Sequence, residues 1–274
     1  MRAALRSIPR YAVLALGAFV TLYPFSMVVL TSLKTTRDYM RSSVALPAVP
    51  QFSNYATVFR KSAILSGFAN SFIITASVLV LEILVGALAA YALTKMDFKK
   101  AGRYQLLFLA PMILPIQLVA IPIYLIFVNL GLTDTKLGLI VVYIATGLPL
   151  VIFMLTSFMK TIPNQISEAA TVEGASDLQI FGAIIVPLLK PTIAAISVIS
   201  GLGIWNDFFM PLLLLISARQ KTLPLKIYDY MGQYNNNWPF VSTCIVYVLA
   251  PIFVFYVVMQ KYIIKGVVAG AVKG

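Results

Sequence analysis

Glu168, Glu173 and Asp177 fall within ten positions of "EAATVEGASD" and are three of only nine acidic residues in the chain. They lie between two apolar runs long enough to cross a membrane, and carboxylates placed there can accept hydrogen bonds or pair with basic groups on another surface. No histidine occurs, which removes the commonest neutral-pH base and the commonest metal ligand. Carboxylate chemistry remains open, but an enzyme should gather catalytic groups at one depth. No such cluster is visible, so no catalytic residue and no metal site are expected. The single cysteine, Cys244, lies in an apolar run and cannot form an intrachain disulfide; it reads as a small buried hydrophobe.

Two further polar groups could do chemistry. Glu82 sits near the middle of the apolar stretch 70–93, and an intramembrane carboxylate points to function by default. The alternative is an acid that is protonated or faces a protein interior. Trp205, Asn206 and Asp207 follow Thr192 by about 15 residues, roughly 22 Å up a helix, toward its outer end. They fit the approach for a polyol, where amide and carboxylate pair with hydroxyls and an aromatic face covers the sugar. They fit equally an interfacial aromatic residue followed by a helix-end acid.

The elements that must position these groups are membrane helices. Mean hydropathy is +0.92 and only 11% of residues are charged. Charge is nearly absent from 11–33, 70–93, 104–128, 137–158, 192–216 and 241–260. Each run can span roughly 30 Å as a helix, so six transmembrane helices are predicted. The first run exceeds the usual h-region and lacks a cleavage pattern, so it is expected to stay in the membrane. The formal charge of +12 sits in short links and chain ends rather than along an aromatic-laced face, which argues against nucleic acid. With the N-terminus inside, the inner segments carry twelve basic residues, including Lys95, Lys99, Lys100 and Arg103, and the outer segments nine. This bias predicts both termini in the cytoplasm and puts 159–190 there too.

Along the chain, the link 34–69 is punctuated by Pro47 and Pro50, with a short interfacial helix expected over 54–61. Gly86, Ala87, Ala89 and Ala90 suit close helix approach in the second span. Pro111, Pro115 and Pro122 obstruct a regular third helix, leaving carbonyls that only protein or a wet cavity can satisfy. Gly147 and Pro149 are the expected bend of the fourth. Within 159–191, Pro163 ends the preceding element and Ser167 or Asn164 is expected to cap a short helix. Gly174 allows positive φ or close approach, a second short helix starts near Ser176 or Asp177, and Pro187 and Pro191 return the chain to the membrane. A rigid helix pair bearing acids rather than bases is better shaped for docking to protein than for lying on lipid.

The spacing Glu168-Ala169-Ala170, Gly174, Ile184 and Pro187 resembles the EAA signature, EAA-x3-G-x9-I-x-L-P, of binding-protein-dependent ABC importer permeases, with Val186 where leucine is usual. "YALTKMDF" (91–98), "IPIYLIFVNLGLTDTKLGLIVVY" (121–143), "WNDFFMPLLLL" (205–215), "TLPLKIYDY" (222–230) and "QKYIIKGVVAGAVKG" (260–274) are similar to the carbohydrate branch that includes the second maltose-type permease subunit. The resemblance runs from the end of the second helix to the last residue. It implies an all-α, six-helix integral membrane protein of the type I ABC importer permease class, a single domain over 1–274 in the prokaryotic inner membrane.

It further implies that Glu168 to Gly174 form a coupling helix entering a cleft on a cytoplasmic ATPase dimer. There Glu168 would pair with basic groups, Ala169 and Ala170 would make the close contact, and Glu173 would be a polar handle. The tail 260–274, with Lys273, would reach toward the same dimer. This chain would bind no cofactor; ATP and Mg2+ would sit on the partner subunits. A separately encoded second permease, giving a heterodimer, an external solute-binding protein and membrane lipids complete the implied partners. "YNNNWPF" (234–240) is a candidate contact for the solute-binding protein or simply a polar hairpin. The implied cargo is a sugar, oligosaccharide or related polyol. The competing class is a secondary transporter built on Glu82, which leaves the segment 159–191 without a role.

Overall fold

The apolar runs become helices because their backbone groups have no other partner in lipid. A computed structural model describes residues 2–96, 100–232 and 236–271, with side chains described between 11 and 257. In chain order the helices are α1 (Arg2–Ser32), α2 (Thr36–Arg41), α3 (Ser53–Lys61), α4 (Ile64–Lys95), α5 (Ala101–Leu109), α6 (Ala120–Asn129), α7 (Lys136–Met159) and α8 (Asn164–Val172). There follow α9 (Asp177–Gln179), α10 (Val186–Leu188), α11 (Lys190–Asn206), α12 (Phe209–Leu214) and α13 (Trp238–Ala271). No strand occurs among the described residues. Four stretches are long and apolar enough to cross a membrane, and two bent pairs raise the total to as many as six. The chain divides into two compact units, 1–67 with 223–253 and 68–222 with 254–274.

In the first unit the link after α1 folds back onto the end of that helix. The last carbonyls of a helix have no intrahelical donor, and here distant residues supply it. Asn54 Nδ2 donates to the carbonyls of Ser32 (2.8 Å) and Lys34 (2.9 Å), and Gln51 N donates to Leu33 O (2.8 Å). Lys34, 1% exposed, turns its ammonium onto the carbonyls of Ser42 (3.1 Å) and Ser43 (2.7 Å). The helix expected over 54–61 is α3, and Tyr247 of α13 donates from its hydroxyl to Tyr55 O at 3.1 Å.

The second unit is organised by one seam. Glu82, Gly86, Ala90 and Thr94 lie four apart on α4 and so share a face. Gly147, Val151, Leu155 and Met159 do the same on α7. Glu82 packs on Gly147, Gly86 on Val151 and Leu155, and Thr94 Oγ1 meets Met159 Sδ at 3.5 Å. Both series rise together, so α4 and α7 run parallel. The chain between them must therefore cross from one side of the bundle to the other, which makes Ala101–Asn129 a crossing and not a re-entrant loop. That crossing is broken by 87° between Ile113 and Ile116, where Pro111 and Pro115 stand in and beside short 3-10 turns. Pro149, in contrast, lies inside an unbroken α7.

α11 returns in the opposite sense. It starts beside the ends of α4 and α7 and finishes with Trp205 against Phe68, near the start of α4 (centroids 5.6 Å apart, edge-on). The apolar run 192–216 is not one continuous helix. α11 ends at Asn206, Asp207 is extended, and α12 begins at Phe209. Pro187 lies within α10, and the 70° bend that returns the chain falls after it, between Leu188 and Lys190.

Candidate functional site

α8 begins directly after Pro163, whose backbone (φ −58°, ψ 136°) ends the turn following α7. Contrary to the capping expected from sequence, neither Asn164 nor Ser167 caps it: no side-chain cap bond is made, because Asn164 is already the first helical residue. Its Oδ1 instead accepts from Lys95 Nζ at 2.8 Å, and the same ammonium donates to Ile162 O at 2.6 Å.

The other end of α8 is a Schellman turn. Ala175 N donates to Ala170 O (3.0 Å) and Gly174 N to Thr171 O (3.0 Å), with Gly174 at φ +87°. A Cβ added there would meet nothing within 4 Å, so the glycine answers to backbone conformation and not to crowding. Ser176 then opens α9, its N–H donating to Gln179 Oε1 at 2.8 Å, and a π-helical turn over Ile180–Ile185 carries the chain to α10. Phe181 in that turn packs on Tyr91 of α4, centroids 5.3 Å apart.

This framework sorts the side chains of the segment. Ala170 is buried in the chain's own core with Ile180, Phe181 and Ile185, so it faces inward. Glu168, Ala169 and Glu173 are exposed. Val172, apolar and outside the spans, is 90% exposed, and Leu178, at the start of the bent pair that leads into α11, is 76% exposed. The outward face is therefore two carboxylates around a small residue, flanked by uncovered aliphatic groups. Pro187 is exposed too. Lys273 lies outside the described residues, as do the side chains of 260–272 and part of "YNNNWPF".

At the other end of the bundle, Asp207 is the polar centre. Its carboxylate accepts from Tyr143 OH (2.7 Å), Phe209 N (2.9 Å) and Met210 N (3.3 Å), fixing the start of α12 and tying it to α7. Asn206 is exposed and donates to Leu202 O (2.9 Å). Trp205 Nε1 is buried without a hydrogen-bond partner. Glu82 is 1% exposed, its Oε2 likewise unpartnered, and its carboxyl occupies the space that a side chain at Gly147 would need. Tyr143 and Gly147 are one turn apart on α7, so Asp207 and Glu82 meet successive turns of one helix, roughly 6 Å apart along it.

Sequence reading assigned no role to Tyr143 or Asp134 and counted Lys95 only toward the charge bias. Asp134 Oδ1 accepts from Ile216 N (2.9 Å), Ser217 N (2.9 Å) and Ser217 Oγ (3.1 Å), pinning the loop before α7 to the chain after α12. The "TDT" before α7 was a visible turn signal, but nothing local indicated a partner more than eighty residues away. Among the described residues no group of three His, Cys, Asp or Glu side chains could hold a metal.

The profile of the family described as binding-protein-dependent transport system inner membrane component matches residues 82–268. The chain is 34% identical to the melibiose/raffinose/stachyose import permease protein MelC of Bacillus subtilis, over 96% of this chain and 94% of that protein. It is 36% identical to the multiple sugar-binding transport system permease protein MsmG of Streptococcus mutans, over 96% of each. Among solved structures, a chain of a bacterial ABC transporter involved in import of the acidic polysaccharide alginate superposes with a TM-score of 0.81 at 24% identity, covering 94% of this chain and 96% of that one.

Proposed function

The chain belongs to the binding-protein-dependent transport system inner membrane component family, and on that premise we propose that it is one permease subunit of an ATP-driven importer of a sugar, oligosaccharide or related polyol. Its relatives in Bacillus subtilis and Streptococcus mutans are sugar permeases by name. It is a multi-pass inner-membrane protein that hydrolyses nothing itself; ATP and Mg2+ belong to an ATPase dimer on the cytoplasmic side. A second permease subunit and an extracytoplasmic solute-binding protein complete the assembly.

The observation that carries the docking reading is the outward face of α8. Outside the membrane spans α8 exposes Val172 beside Glu168 and Glu173, and Leu178 is exposed where the next helix starts, a mixed apolar and acidic surface suited to a partner's cleft. Glu168, Ala169, Glu173 and Gly174 are the contact and its turn, Ala170 anchors the helix from within, and Pro187 stands in α10 just before the bend. The reading also assigns Lys273 and the cytoplasmic tail 260–274 to the same partner. Lys95, Lys100, Arg103, Lys160 and Lys190 are a basic bias that supports a cytoplasmic side for α8, and this reading takes both termini as cytoplasmic.

Glu82, Trp205, Asn206 and Asp207 are the pathway groups of this reading, with Asp207 holding the outer break of α11 and α12 in place. Proteoliposomes carrying the complex purified with this chain, loaded with ATP and offered a solute-binding protein with raffinose-type or malto-oligosaccharides, test it. ATP-dependent uptake is expected. Uptake driven equally by a proton or sodium gradient without ATP would instead support transport centred on Glu82.

A further inference from the structure

We infer that Lys95 is a positioning residue for energy transmission, the tie through which α4 is moved by α8. The inference rests on the importer reading above and goes beyond it by assigning the residue that hangs the docking helix on the membrane bundle.

Lysine in the last turn of a helix normally satisfies the carbonyls of its own helix end. Lys95 reaches outward instead. Its ammonium holds Ile162 O at 2.6 Å, in the turn after α7, and Asn164 Oδ1 at 2.8 Å, on the first residue of α8. One charged donor thus joins the end of α4, the end of α7 and the start of α8. The start of α8 has no side-chain cap of its own, so this tie fastens that end to α4. The segment after α8 is attached to the same helix one turn earlier, where Phe181 of the π-helical turn packs on Tyr91 in the cluster that also buries Ala170 of α8. α8 is therefore slung from two successive turns of α4, and α4 is locked to α7 along the seam from Glu82 to Thr94. A push on α8 is delivered to that parallel pair as a rigid body, a displacement that packed interfaces transmit without deforming. Hydrogen bonds from a charged donor are about twice as strong as neutral ones. The long stem of the lysine lets one ammonium reach both acceptors.

The experiment compares proteoliposomes containing the intact importer with wild-type chain, Lys95→Met, Lys95→Arg and Asn164→Leu, and reads sugar imported per ATP hydrolysed, together with subunit recovery. ATP-driven uptake by the wild type is measured first, and its absence counts against the importer reading rather than against Lys95. Lys95→Met is expected to assemble and to hydrolyse ATP while its import per ATP falls about tenfold, within the range of coupling between sites. Lys95→Arg is expected to restore most of the ratio, a rescue that a loss of bulk stability would not show. A wild-type ratio in Lys95→Met overturns the inference. If that variant fails to assemble, Asn164→Leu decides, since it removes one acceptor and leaves the ammonium in place. A fall of about fivefold or more in import per ATP, a coupling effect of the usual size, upholds the inference, and a smaller fall or an unchanged ratio overturns it.

Discussion

Gly174 is a glycine for its φ of +87° and not for lack of space. A left-handed backbone costs an ordinary L-residue about 1–2 kcal/mol. Gly174→Val is therefore expected to loosen the Schellman turn, raising amide exchange of Gly174 and Ala175 about tenfold while α4 and α7 remain protected. Unchanged exchange would mean that the turn is not set by this residue. Gly147 is the opposite case, since the Glu82 carboxyl fills the space beside it. Gly147→Ala overpacks that contact, at a cost of about 1–3 kcal/mol, so the melting temperature of the detergent-solubilised complex should fall. Glu82→Ala in the same chain should recover part of the loss, because neighbours are not additive. Equal losses with and without Glu82 would place the strain elsewhere. Glu82 was legible in sequence as a lone acid in an apolar run, and Gly147 as a helix irregularity. Their contact was not, because residues sixty-five positions apart leave no periodic trace in either helix.

At the scale of elements, the positions of the apolar runs were legible because lipid demands about 20 apolar residues per span. The breaks were legible only in part. Three prolines announced that the third span could not be regular, yet the angle depends on what the freed carbonyls meet. The run 192–216 looks continuous because its side chains stay apolar through the break; only Asp207 marks it, and a helix-end acid and a cap for the next helix look alike in sequence. Asp207→Ala removes a cap and the tie to Tyr143. Lost caps cost about 0.5–2 kcal/mol, so a lower melting temperature with α12 exchanging faster is expected, and an unaltered α12 would contradict the assignment.

Asp134 supplies the pH test. Burial alone would raise its carboxyl, but the hydrogen bonds from Ser217 and Ile216 outweigh it and leave the pKa below the usual aspartate value. A folded pKa below the unfolded one stabilises the fold above the unfolded value, and the effect is lost as pH falls through the folded value. The stability difference between wild type and Asp134→Ala should accordingly be constant near neutrality and shrink on acidification below the ordinary aspartate range. A difference that grows in acid would reverse the sign and refute the assignment. Asp134 is only half-buried, so the effect is expected to be small.

For the whole molecule, driving a gate from mostly inward to mostly outward takes about 5.5 kcal/mol of differential interaction. One exposed ion pair at Glu168, worth about 0.2–1 kcal/mol, falls well short. On the proposed reading the full outward face of α8 contributes and the seam between α4 and α7 carries the displacement. The EAA-type spacing made this segment legible before any fold was known, whereas its suspension from Lys95 and Tyr91 emerges only when three distant stretches come together. The most direct measurement is quantitative recovery of subunits from native membranes with wild-type chain and with a Glu168→Ala, Gly174→Leu double variant. The account expects the wild type to bring down an ATPase and a second permease, and the variant to keep the permease while losing the ATPase. An intact wild-type complex without any ATPase, or a variant that retains it in full, would contradict the claim that α8 is where the energy enters.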